Sequence, residues 1–77
     1  MNDVFVTVAY FTRVEDRGDY YIVEYYGDKF IVRKGDIERD LLSVLRHVPC
    51  PHIRAFLKVL SLRVRFNEDA VMKNIRC

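Results

Sequence analysis

His47, Cys50 and His52 bring metal-ligating side-chain types closest together in this chain. Zinc usually takes paired ligands from two knuckles, or from a knuckle and a helix, and the spacing H-x₂-C-x-H matches neither arrangement. These residues read instead as two helix-end imidazoles and a loop thiol. Neither a metal nor a cofactor is expected. Cys50 and Cys77 are too few for a disulfide scaffold. They read as reduced thiols, with a Cys50–Cys77 bridge as the alternative, since disulfides do occur inside hyperthermophiles.

Covalent and acid–base chemistry have no better footing. The chain has no glycine-rich phosphate loop, no nucleophile elbow and no Cys–His pair with an orienting partner. Ser43 and Ser61 are its only serines, and the acids cluster in turns and helix caps. The expectation is a non-enzymatic protein without a small-molecule substrate.

The charge distribution is more informative. Net charge is +2, yet residues 41–67 hold no Asp or Glu while Arg46, Arg54, Lys58, Arg63 and Arg65 all fall there. An acid-free basic stretch is the footprint of a phosphate-facing surface. The candidate nucleic-acid contacts are Arg54, Lys58, Arg63 and Arg65, with Arg33 and Tyr26 beside them. Aromatics interleaved with cations can stack bases while the cations hold phosphate.

Seventy-seven residues, half of them apolar, make one small domain, expected over residues 1–77. The apolar run 4–11 is far shorter than the roughly 20 residues that span a bilayer. Met1-Asn2-Asp3 lacks the basic start of a secretory signal. A soluble cytoplasmic protein without membrane contact is expected. Gln is absent, Asn occurs only at positions 2, 67 and 74, and Arg outnumbers Lys, a mix that resembles a thermophile's protein.

The elements that position these residues follow from periodicity. Asp3–Val14 alternates and is rich in β-branched and aromatic residues, so it reads as a strand. Residues 15–18 form a turn, Tyr20–Tyr26 a second strand, Gly27-Asp28 a hairpin tip and Lys29–Arg33 a third strand. That tip opposes Tyr26 to Lys29, Tyr25 to Phe30 and Val23 to Val32. It sets Tyr21, Val23, Tyr25, Phe30 and Val32 on the core face with Val4, Val6, Val8 and Tyr10. Phe5, Phe11, Ile22 and Ile31 then lie on the outer face, apolar enough to be a homodimer interface.

Gly35-Asp36 caps a helix whose stripe is Ile37, Leu41, Val44, Leu45 and Val48. Pro51 starts a second helix with Ile53, Phe56, Leu57 and Leu60 inward. The two outline a helix-turn-helix, or an αα-hairpin packed on the sheet. Leu62–Phe66 alternates and reads as a fourth strand, or else prolongs the helix. Asn67 caps a last helix. The expected class is α+β, an antiparallel three- to four-stranded sheet in the order β-β-β-α-α-β-α with helices packed on it. Residues 1–34 form the meander, 36–61 the αα-hairpin, and 62–77 the short strand and final helix. The expected function is that of a small non-enzymatic nucleic-acid-binding or regulatory protein holding the phosphate backbone through residues 41–67, with a homodimeric protein–protein interaction module using the apolar outer sheet face as the alternative.

Overall fold

The structure, a computed structural model, describes residues 3–77; Met1 and Asn2 of the amino-terminal tripeptide lie outside it. The chain is an α+β fold built on a three-stranded antiparallel sheet. Its elements are α1 (Asp3–Tyr10), β1 (Thr12–Asp16), β2 (Tyr20–Tyr25), β3 (Asp28–Arg33), a 3₁₀ turn (Lys34–Asp36), α2 (Ile37–Leu45), α3 (Cys50–Ser61) and α4 (Glu68–Met72). The class and the three strands agree with the sequence pattern. The element order does not.

The first difference is α1, which replaces most of the long strand expected over Asp3–Val14. The segment is apolar nearly throughout, so it satisfies a period of two and a period of 3.6 alike. Packing against α3 decides. Val8 is fully buried, with Phe5 and Ala9 half-buried at helical spacing on the same side. Val4, Val6 and Tyr10, expected in the core, are exposed. Tertiary contact thus overrides the β propensity of Val4, Val6, Thr7 and Val8.

The hairpin differs in its tip. Tyr26 (φ 50°) and Gly27 (φ 86°) are the two central residues, and Tyr25 pairs with Asp28. A two-residue turn matching strand twist needs positive φ at both central positions, with glycine best placed second. Val23 therefore opposes Phe30, and Tyr21 opposes Val32. The pairing moves by two residues, so side-chain parity survives. Tyr21, Val23, Tyr25, Phe30 and Val32 do share the core face.

β1 runs antiparallel to β2, with Arg13 opposite Glu24 and Val14 opposite Val23. The outer face consequently carries Arg13, Glu15, Glu24, Lys29 and Arg33 around Ile22 and Ile31. It is largely a charged, solvated face. Asp16 Oδ1 accepts from the Gly18 N–H at 2.9 Å and from Lys34 Nζ at 2.9 Å, closing the first turn.

No strand forms at Leu62–Phe66. The carbonyl of Leu60 accepts from both Arg63 N–H and Val64 N–H, which winds the chain off α3 in a turn. Val64 is buried but Leu62 is 74% exposed, so the residues do not alternate between core and solvent. α2 already lies against β3, and the Asn67 N–H donates to Glu38 of α2 at 3.3 Å. The αα-hairpin is also not built, because α2 packs chiefly on β3 and α4, and α3 on α1. Buried side chains from α1, β2, β3, α2, α3 and α4 meet around Phe56, Leu57 and Leu60.

Cys50 is the first residue of α3, and it is bonded to Cys77. The thiols are thus oxidised, against the primary sequence expectation. No helix among the described residues is long and apolar enough to cross a membrane.

Candidate nucleic-acid interface

α3 carries the first two candidate cations. Pro49 and Pro51 fit its start, where missing N–H groups leave no helical bond unmade. Ile53, Phe56, Leu57 and Leu60 fill the core-facing side, leaving Arg54 and Lys58 one turn apart on the outward stripe. Leu62, the helical C-cap, continues that stripe. Ser61 Oγ donates to the Lys58 carbonyl at 2.7 Å, and the chain then turns away through Arg63. Buried Val64 separates exposed Arg63 from exposed Arg65. Among the described residues no carboxylate lies within 4.0 Å of Arg54, Lys58, Arg63 or Arg65.

Arg33 is differently placed. Its Nε and Nη2 donate to Asp40 Oδ2 and Oδ1, each at 2.9 Å, and its backbone N–H donates to Oδ2 at 2.9 Å. Asp36 stands 3.7 Å away. Those hydrogen bonds hold the Asp40 carboxyl down at about 2 and push the Arg33 guanidinium further up. Arg33 is already neutralised by its own chain.

Tyr26 sits at the hairpin tip, its ring stacked 4.5 Å from Phe11 at 20° and 6.1 Å from His52 at 23°. The Tyr25 hydroxyl lies 2.7 Å from His52 Nδ1, and its ring meets Phe56 edge-on. Burial, with Tyr26 alongside, raises the Tyr25 phenol above its usual value. His47 instead tilts against Phe30, and Cys50 is in its disulfide. The three potential metal ligands are drawn to three different partners. No group of three or more His, Cys, Asp or Glu side chains among the described residues is placed to hold a metal.

The four apolar interface candidates do not share one face. Ile22 and Ile31 are cross-strand partners on the outer sheet surface, and Ile31 is 62% exposed. Phe5 is on α1, and Phe11 lies between α1 and β1.

Sequence reasoning missed a groove of about 710 Å³ along β1. Tyr10, Thr12, Arg13, Val14 and Glu15 line one side, Val59, Leu62 and Arg63 another, and Ile22, Glu24 and Lys29 reach it from the outer face. Tyr10 is 75% exposed. The signal was hidden because Tyr10 belonged to the core in the all-strand reading. No family model matches this chain, and no curated protein or solved structure matches it at a significant level.

Proposed function

We propose that this chain is a small non-enzymatic nucleic-acid-binding protein of a thermophile's cytoplasm, holding the phosphate backbone through α3 and the segment that leaves it. One observation carries the reading. Arg54, Lys58, Arg63 and Arg65 are all exposed, and among the described residues none has a carboxylate within 4.0 Å, in a 27-residue stretch without Asp or Glu. Tyr10, beside Arg63 in the groove, adds a ring on which a base could stack. Arg33 and Tyr26, the other two candidates, are left out of this reading because Arg33 is engaged by Asp40 and Tyr26 by Phe11.

Four phosphate contacts imply a slope of log affinity against log salt near −3.6, a loss of roughly 150-fold between about 50 and 200 mM salt. Anisotropy titrations with labelled duplex and single-stranded probes measure that slope. Arg63→Glu/Arg65→Glu should flatten it by about 2 and weaken binding on every probe. Absence of binding to either probe at about 50 mM salt refutes the proposal.

A further inference from the structure

β1 is an edge strand, bonded on one side only. Tyr26 N–H donates to the Phe11 carbonyl and Arg17 N–H to the Tyr20 carbonyl, so the odd-numbered residues of β1 turn their backbone groups toward β2. Antiparallel strands alternate strictly. Thr12, Val14 and Asp16 therefore turn their N–H and C=O groups outward, along the groove that Tyr10, Leu62 and Arg63 flank. An edge of this kind is a template for another strand.

We infer that the occupant is a second copy of the chain, paired antiparallel through β1 about a two-fold axis at Val14. The sequence of β1, Thr12-Arg13-Val14-Glu15-Asp16, is complementary to its own reverse in charge. Pairing Val14 with Val14 of the second copy sets Arg13 opposite Glu15 on the outer face, and Glu15 opposite Arg13. Within the chain Arg13 lies 4.0 Å from Glu24 and Glu15 3.1 Å from Arg17, exposed pairs that the cross-junction pairs join or replace. Both lie in non-hydrogen-bonded positions, where side chains approach most closely. Neighbouring registers are penalised. A slip by two residues one way opposes Arg13 to Arg13, and the other way opposes Glu15 to Glu15. One register is thus favoured and its neighbours are charge-repelled, which separates a specific interface from a merely sticky edge.

A second observation supports the same register. Thr12 Oγ1 is the buried side-chain polar atom left without a hydrogen-bond partner among the described residues. In the two-fold pairing, Thr12 lies directly opposite Asp16 of the second copy, on the same sheet face. Asp16 uses Oδ1 for Gly18 and Lys34, and its Oδ2 can accept from the Thr12 hydroxyl once the Thr12 side chain, whose Oγ1 is closed to solvent in the single chain, rotates toward the strand edge. Tyr10 and Leu62, both largely exposed, would be covered as the groove fills. The product is a continuous six-stranded sheet; a second copy in the groove and a base stacked on Tyr10 exclude each other, whereas Arg54, Lys58 and Arg65 do not line the groove.

Sedimentation equilibrium on the wild type should give twice the 9.2 kDa chain mass. Arg13→Glu and Glu15→Arg each place like charges across the junction twice, and each should weaken self-association about tenfold or more. The double variant Arg13→Glu/Glu15→Arg restores unlike pairs and should regain the wild-type mass. Mixing the two single variants should give a heterodimer tighter than either homodimer. Circular dichroism melts check that each variant is folded, and the double variant and the mixture keep the test decisive if one single variant is not. A wild-type monomer at about 1 mM, the limit of meaningful self-affinity, overturns the inference. So do single variants that keep the wild-type mass, or a mixture with no preference for the heterodimer.

Discussion

Reducing the Cys50–Cys77 disulfide is expected to lower the melting temperature by about 20 °C. The bond closes a loop with a sequence separation of 27 residues. Restricting the unfolded chain over that length is worth about 3–4 kcal/mol at 25 °C in the chain-entropy account. For a chain of 77 residues, unfolding entropy near the melting point is about 160 cal/mol/K. Dividing one by the other gives a drop of about 20 °C. The folded side of the balance adds to it, because Ile75, two residues before Cys77, packs against the core beside Leu45 and Ile53. Far-ultraviolet circular dichroism melts with and without a phosphine reductant measure the change, with a free-thiol assay to confirm each redox state. Cys50→Ser/Cys77→Ser should match the reduced wild type and be insensitive to the reductant. Oxidised protein that melts within about 3 °C of the reduced form refutes the reasoning, since that gap is well under 1 kcal/mol for a domain of this size. Two free thiols in protein purified under air would refute it too.

Two further outcomes follow from local geometry. Asp40 titrates at about 2 when folded against an ordinary 3.8, so its stabilisation is complete above about pH 4 and is lost as pH falls toward 2. Because Arg33 is exposed, screening reduces the contribution to about 1 kcal/mol, and urea unfolding of wild type and Asp40→Asn should converge by that amount between pH 5 and 2. Gly27→Ala should cost about 1–2 kcal/mol by urea unfolding, because Gly27 has φ 86° and nothing within 4 Å of an added Cβ, leaving backbone conformation as the cause. A variant as stable as wild type would place the turn elsewhere.

Those elements with an unambiguous period were legible in the sequence. Leu41, Val44, Leu45 and Val48 repeat at helical spacing and are buried as that spacing demands. Asn67 caps α4, its Oδ1 accepting from the Ala70 N–H at 3.0 Å, as its position before Glu68 and Asp69 suggested. α1 was not legible, because Val4 through Tyr10 offers apolar residues at every period and only contact with α3 selects one. Leu62–Phe66 misled for the opposite reason. Its alternation is clean, yet the Arg63 and Val64 N–H groups both bond the Leu60 carbonyl and the segment joins none of the three strands. The exposure of Arg54, Lys58, Arg63 and Arg65 followed from a charge pattern read along the chain. The capture of Arg33 did not, since Asp40 comes within reach only once α2 folds back on β3. The Cys50–Cys77 bond was likewise invisible, because separation in sequence says nothing about distance in space.

α1 has a consequence for how the molecule assembles. Eight residues rich in β-branched side chains make a poor isolated helix, well below the length at which helices persist alone in water. Its helical form is borrowed from α3, some 40 or more positions along the chain. The amino-terminal segment therefore has no shape of its own until distant residues have folded, and it should be among the last parts of the domain to become ordered. Until then its preference is to be extended, beside a strand whose outer edge is still unpaired.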